Sequence, residues 1–229
     1  MNSIAKRLAQ IRTRITQAEQ DYQRPPGSVK LLAVSKTRPL ADLQALQTLG
    51  QQRFAENYLQ DALPKIAGLG DDIDWHFIGP LQSNKTRPVA EHFHWLHTLE
   101  RLKIARRLND QRPASLPPLN VCIQVNISAD PDKAGLTPEA AETLANDLAE
   151  LPRLRLRGLM TLPRREHDFE RQRQPFRELH SLYQQLRQSG FELDTLSMGM
   201  TSDLEAAIAE GSTLVRVGSG LFGPRKPIQ

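Results

Sequence analysis

Leu119-Asn-Val-Cys-Ile-Gln-Val-Asn-Ile127 is dominated by apolar, largely branched side chains, and it reads as a buried strand. Thr137-Pro138-Glu139 follows, combining an N-cap hydroxyl, a proline at N1 and an acid in the first turn. These are three agreeing signals for a helix start, and the helix they open ends before Pro152. Residues 156–162 then supply another apolar run. Strand, helix and strand in that order make a unit of parallel sheet.

The alternation extends in both directions. Upstream, strands are predicted at 29–35, 53–56, 74–79 and 93–99. The helices between them open at Pro39, run through Leu59, Leu63 and Ile66, span 84–91, and carry Leu102, Ile104, Ala105 and Leu108. Downstream, a long helix at 169–188 is closed by Gly190, and a strand is predicted at 193–198. Ser202-Asp-Leu-Glu205 reads as a capping box opening the next helix, and 213–217 is the last strand. Eight strands alternating with helices predict a single closed (β/α)8 TIM barrel rather than an open sheet. Residues 218–229 are too few for a full outer helix after the last strand. The N-terminal helix, residues 1–22, is expected to pack on the barrel and complete the outer ring. With no linker or repeat dividing the chain, residues 1–229 are expected to form one domain.

Composition narrows the function classes. The chain has 229 residues, 39% hydrophobic and 24% charged, with 16 prolines and 13 glycines, which suits a soluble globular protein and excludes wholesale disorder. No run approaches the roughly 18 apolar residues of a membrane span. Cys122 is the only cysteine, so no internal disulfide or cysteine-based zinc site is available, and a reducing cytoplasm is the expected compartment. The net charge is +4. Arg153, Arg155, Arg157, Arg164, Arg165, Arg171, Arg173 and Arg177 crowd one region, but Glu166, Asp168, Glu170 and Glu178 lie among them. Mixed signs favour a solvated surface over an anionic partner. Aromatics are only 5% and form no stacking platform, so nucleic-acid binding is not expected. Ile4, Leu8, Ile11 and Ile15 fall at helical spacing with Lys6, Arg7, Arg12 and Arg14 between them. An organellar transit peptide shares that composition, but an ordinary amphipathic first helix is the preferred reading. A secretory signal is not expected, because no apolar core region is present.

In such a barrel the working face lies at the carboxyl ends of the strands. The residues predicted there are Ser35-Lys36, Glu56-Asn57, His76 with Gly79, Asn126, Met160-Thr161, 197–201 and 216–219. Lys36 alone could be a solvated strand cap; as a nucleophile it would need a lowered pKa. Ser197-Met-Gly-Met-Thr-Ser and Arg216-Val-Gly-Ser-Gly are glycine-and-hydroxyl turns after the last two strands, the usual barrel phosphate site. Closure sets them beside Lys36, and together they suit an aldehyde that carries a phosphate, pyridoxal 5'-phosphate (PLP). Two other groups carry less. His92, His94 and His97 offer imidazoles, but only Glu91 lies nearby to complete a metal set, so no metal site is expected. Lys85, Lys133 and Arg225 could form a basic rim, with ordinary surface charge the preferred reading.

The chain resembles the YggS/PROSC family of pyridoxal phosphate homeostasis proteins over residues 30–224. The resemblance is carried by Ala33-Val-Ser-Lys-Thr37, Glu56-Asn-Tyr58, Trp75-His-Phe-Ile-Gly-Pro-Leu-Gln-Ser-Asn-Lys85, Gln124-Val-Asn-Ile127 and Lys133-Ala-Gly135. Arg157-Gly-Leu-Met160, Ser197-Met-Gly-Met-Thr-Ser-Asp203 and Arg216-Val-Gly-Ser-Gly-Leu-Phe-Gly223 continue it. It implies a fold type III PLP barrel like the N-terminal domain of alanine racemase, in a monomer. It also implies a Schiff base on Lys36, phosphate contacts from Ser197, Gly199, Gly218 and Ser219, and Arg216 facing the pyridine nitrogen. Asn57, His76, Met160 and Met198 would line the ring. Ala55 replaces a usual glycine, Thr201 a serine, and Ser219-Gly220 a Thr-Ala pair; Thr201 and Ser219 keep a hydroxyl for phosphate.

A permanently charged arginine cannot take the pyridine proton and so weakens the ring as an electron sink. Racemases share that arginine, but racemisation needs an acid and a base on opposite faces, and in that family one comes from an additional β-domain. The expected function is therefore to bind, buffer and deliver PLP, transiently to PLP-dependent apoenzymes, without efficient turnover. A small amino-acid racemase is the main alternative, and a cofactor-free class I aldolase using Lys36 is a third.

Overall fold

The structure, a computed structural model, describes residues 3–224. Its strands are β1 (Lys30–Val34), β2 (Arg53–Glu56), β3 (Asp74–Phe77), β4 (Trp95–Leu99), β5 (Leu119–Gln124), β6 (Leu154–Met160), β7 (Thr195–Ser197) and β8 (Leu214–Val217). They pair in chain order, all parallel, and β1 joins β8 from Lys30↔Leu214 to Ala33↔Val217, which closes the cylinder. The (β/α)8 barrel expected from the alternation is the fold.

The helices are α1 (Ser3–Asp21), α2 (Leu40–Gln47), α3 (Leu59–Leu69), α4 (Thr86–His92), α5 (Leu102–Gln111), α6 (Pro138–Leu148), α7 (Phe169–Gln188), α8 (Leu204–Ala209) and α9 (Ser219–Phe222). Because α9 is a single turn, α1 takes the remaining place in the outer ring. It buries Ile4, Leu8, Ile11 and Ile15 against α2, α8 and α9. Buried Glu19 at its far end accepts the Gly27 and Val29 N–H groups at 3.0 and 2.8 Å, bonding α1 to the start of β1. No helix among the described residues is long and apolar enough to cross a membrane.

Several boundaries differ from the sequence reading. β1 stops at Val34, so Ser35 and Lys36 stand in the loop above it. β5 ends at Gln124, and Val125 continues only as an isolated bridge to Leu136. β6 begins two residues earlier than 156, because Arg155 and Arg157 belong to the strand end that meets solvent rather than core. Pro39 is the N-cap of α2, and Ser83–Lys85 forms a 3-10 turn before α4.

The capping box at Ser202 does not form. α8 has Asp203 at its N-cap, whose Oδ1 accepts the Met200 N–H at 2.5 Å. Glu205 turns outward to a bidentate pair with Arg14 of α1, at 2.6 and 2.8 Å; two charge-assisted bonds outcompete a reach back to one backbone N–H. The expected caps of α6 and the bounds of α7 hold, with Thr137 accepting Ala140 N–H at 3.3 Å and α7 spanning Phe169–Gln188. Much of the arginine-rich region is internally paired: Arg157 with Asp194, Arg164 with Asp130, Arg173 and Arg177 with Glu210.

Candidate functional site

A cavity of about 650 Å³ opens at the carboxyl ends of the strands, where a parallel barrel places its loops. Lys36, Asn57, Met160, Thr201, Arg216, Gly218 and Ser219 all line it. These predicted residues come from the ends of β1, β2, β6, β7 and β8, separated in sequence and convergent only because the barrel closes.

Four other predicted residues do not line it. His76 is 1% exposed and lies inside the barrel, its Nδ1 2.8 Å from His97 Nε2 and its ring stacked on Trp95 at 5.3 Å. Ser197 is also interior, its Oγ accepting from Arg216 Nη1 at 2.7 Å and lying 2.8 Å from His97 Nδ1. Met198 is buried in the apolar core. Gly199 has φ +93°, and a Cβ there would meet the Ala207 methyl at 2.5 Å, so its glycine serves a tight turn against α8. These positions precede the cavity by one layer, because a three-residue β7 ends at Ser197 and the lining begins only at Met200.

The turn that carries Lys36 is held from below. Ser35 Oγ donates to Glu56 Oε1 at 2.7 Å, and Lys65 Nζ donates to the same oxygen at 2.7 Å and to the Ser35 carbonyl at 2.9 Å. Arg38 Nη2 donates to the Gly223 carbonyl at 2.6 Å, tying this turn to the segment after α9. Arg216 is 3% exposed; Nη1 donates to the Ser197 carbonyl at 2.5 Å and Nη2 to the Thr161 carbonyl at 2.7 Å. Burial pushes its guanidinium down to about 10, which leaves it a cation at neutral pH.

The loops after β7 and β8 meet at Thr201. Its Oγ1 accepts the Gly220 N–H at 3.2 Å and lies 3.4 Å from Ser219 Oγ, while its carbonyl accepts Arg14 Nη2 at 2.9 Å. Asn57 contributes a buried Oδ1 with no hydrogen-bond partner, and an orphaned buried acceptor on a cavity wall calls for a ligand donor. One amine, one fixed cation, an orphaned amide oxygen and a hydroxyl pair thus surround one space, a donor set suited to a polar ring bearing a carbonyl and an anion.

Sequence reasoning missed Arg38 and the β6–α7 loop, whose Arg165, Glu166 and His167 wall the cavity. Arg38 was findable two positions beyond Lys36; the loop gave no local signal, since its charges read as surface. Asn126 instead organises its own loop, donating to the Asp130 and Lys133 carbonyls at 2.7 and 3.2 Å. Lys133 Nζ reaches the Leu162 carbonyl on the cavity rim at 2.8 Å, Lys85 is exposed and outside the lining, and Arg225 lies outside the described residues. His92 ends α4, His94 Nδ1 accepts the Trp75 N–H at 3.0 Å and His97 points inward, so these imidazoles diverge. Among the described residues no group of three or more His, Cys, Asp or Glu is placed to hold a metal ion.

Comparison with known proteins identifies the family and the fold. The family described as "Alanine racemase, N-terminal domain" matches residues 7–226. A protein of Pseudomonas aeruginosa named "Pyridoxal phosphate homeostasis protein" is 53% identical over 226 residues, covering 98% of this chain and 97% of its own. The structure of PipY from Synechococcus elongatus, solved with PLP bound, superposes with a TM-score of 0.85 at 36% identity, covering 96% of this chain and all of PipY. An alanine racemase of Clostridium difficile shares the fold at 14% identity and a TM-score of 0.78, with all of this chain matching 58% of the racemase.

Proposed function

The chain belongs to the YggS/PROSC family of pyridoxal phosphate homeostasis proteins, and on that footing we propose that it holds PLP at the mouth of its barrel and takes part in intracellular PLP balance. The observation that carries this reading is the convergence of Lys36, Asn57, Arg216, Thr201 and Ser219 on one cavity. The residues fit the group: an amine for the aldehyde, hydroxyls for the phosphate and a cation for the ring nitrogen. Bound there, the cofactor would supply an electrophilic aldehyde within reach of the Lys36 amine. Lys36 must be neutral to attack. Thr201, Gly218 and Ser219 would hold the anionic end, with Asn57 and Met160 beside the ring. Arg216 would donate to the ring nitrogen and, being charged throughout, leave that nitrogen unprotonated. Ser197 acts on the site through Arg216 rather than on the phosphate.

The chain works in this reading as one barrel domain and a monomer in the cytoplasm, buffering the cofactor and passing it to apoenzymes. Beyond Lys36 and Arg216, the titratable groups that line the cavity are Arg38, Arg165, Glu166 and His167. Of these, Glu166 and His167 of the β6–α7 loop are groups that could serve as an acid or base in a racemase. Exchange of the α-hydrogen of amino acids in deuterium oxide separates the two: rapid exchange establishes the racemase, none supports the carrier.

The reading is tested by absorption and borohydride reduction of purified protein mixed with PLP. A visible band that converts on reduction to a stable adduct at Lys36, and is lost in Lys36→Ala, is expected. Protein that stays colourless and unmodified with excess PLP overturns it, and an aldolase would trap nothing unless its substrate were added.

A further inference from the structure

Below the cavity, a file of polar side chains crosses the barrel interior. Arg216 Nη1 lies 2.7 Å from Ser197 Oγ, Ser197 Oγ 2.8 Å from His97 Nδ1, and His97 Nε2 2.8 Å from His76 Nδ1. His76 Nε2 lies 3.2 Å from Asp74 Oδ2, a close charge contact that is not aligned as a hydrogen bond and leaves this nitrogen without a hydrogen-bond partner. Asp74 is the first residue of β3, at the barrel end opposite the cavity, with its side chain 33% exposed. Of these residues only Arg216 lines the cavity.

We propose that His76, His97 and Ser197 form one polarised hydrogen-bond chain that positions Arg216, and that the Asp74 carboxylate beside His76 couples it to the opposite end of the barrel through its charge. The direction is set at the Asp74 end, where a carboxylate 3.2 Å away favours a hydrogen on His76 Nε2 and leaves Nδ1 bare to accept from His97. Ser197 Oγ accepts from Arg216, since a guanidinium only donates, and gives its hydrogen to His97 Nδ1. That nitrogen is bare, so the hydrogen of neutral His97 sits on Nε2 and is donated to His76 Nδ1. His76 in turn carries its hydrogen on Nε2, facing a carboxylate that only accepts. Reversing the chain would set a bare nitrogen 3.2 Å from a carboxylate oxygen, two acceptors with nothing between them.

The surroundings keep both rings neutral. His76 faces Asp74, Arg53, His94 and Trp95, and His97 faces His76, Arg216 and Trp95. Burial, first, disfavours the charged ring at both positions, opposed at His76 by Asp74; at His97 the Arg216 charge acts the same way as burial. The chain joins one buried cation to one half-exposed anion through groups each with one donor and one acceptor direction, so a change at Asp74 propagates as a change in who donates to whom. A positioning role for Asp74 toward the cofactor rests on the functional reading above; the polarity of the chain does not.

The test uses cofactor-free, 15N-histidine-labelled protein, with long-range proton–nitrogen spectra reporting the tautomers. His76 and His97 are expected as neutral Nε2–H rings, and Asp74→Asn should shift the signals of both. The dissociation constant for PLP in Asp74→Asn should rise on the order of fivefold, and in a Ser197→Ala background the same substitution should add nothing, since the chain is already cut. A hydrogen on His97 Nδ1, or an unmoved His97 in Asp74→Asn, overturns the chain. Additive effects of the two substitutions overturn the coupling while leaving the polarity. Wild-type protein that binds no PLP overturns the functional reading and the coupling together, but the tautomers of the free protein still decide the chain.

Discussion

Lys65 Nζ lies 2.7 Å from Glu56 Oε1, with the two side chains 8% and 0% exposed, directly beneath the turn that carries Lys36. This pair joins α3 to β2 and, through Ser35, to the end of β1. Burial raises the Glu56 pKa, opposed by its bonds to Lys65 and Ser35. A carboxyl raised in the folded state contributes stability at pH below its unfolded value of 4.5 and loses that contribution as pH rises through the folded value. At neutral pH only its partners hold the charge in place.

Lys65→Met is therefore expected to destabilise the protein by about 3–5 kcal/mol, the usual result of stranding one partner of a buried pair. Lys65→Met combined with Glu56→Gln should recover much of that loss. Urea unfolding at pH 7 checks both; a single variant as stable as wild type contradicts the pairing.

Acid should weaken the fold through two buried histidines. His76 and His97 have lowered pKa values, foremost through burial, whereas unfolded histidines protonate near 6.5. In the window below that value the unfolded chain binds protons that the folded chain refuses, so stability falls as pH falls. Each fully suppressed imidazole contributes a slope of about 1.4 kcal/mol per pH unit. Urea midpoints measured from pH 7 to pH 5 should decline, and His97→Gln should flatten the decline.

Gly158→Ala should be poorly tolerated although glycine is usually replaceable in a strand. A Cβ at this position in β6 would overlap the Thr195 carbonyl oxygen of β7, and backbone cannot rotate away as a side chain can. Overpacking of this kind costs about 1–3 kcal/mol or more. Thermal unfolding of the variant measures it, with unchanged stability counting against so close an approach of β6 and β7.

The Thr201 hydroxyl joins the loops after β7 and β8 by accepting the Gly220 N–H. Thr201→Val keeps the shape and removes that acceptor. Its dissociation constant for PLP is expected to rise about tenfold, the worth of one hydrogen bond to a charged group, while that for pyridoxal, which lacks the phosphate, stays nearly constant. Parallel titrations with the two ligands separate a phosphate contact from a general loosening.

Much of the architecture was legible because it depends on local chemistry and periodic pattern. Apolar runs at 119–127 and 156–162 flank a helix whose start signals at Thr137-Pro138-Glu139 act within a few residues, and the helix at 169–188 is closed by Gly190. The failure at Ser202 is instructive: the Ser-x-x-Glu pattern is present, yet the capping box does not form because Glu205 pairs with Arg14, 191 residues away. Lys36, Arg216 and the glycine turns were likewise legible as chemical types at strand ends, whereas Arg165 and His167 carried no sign of facing a cavity.

Residue order and type alone therefore determined the barrel, its strand sequence and the presence of an amine and glycine-and-hydroxyl turns at its mouth, because backbone periodicity and turn chemistry are short-range. Folding settled how deep each side chain sits. His76 lies two residues before the lining residue Ile78 and Ser197 three before Met200, but strand length and register set them one layer lower, bonded to His97 and not exposed to a ligand. Depth inside a closed barrel is a property of how neighbouring strands are staggered, and no single segment carries that information.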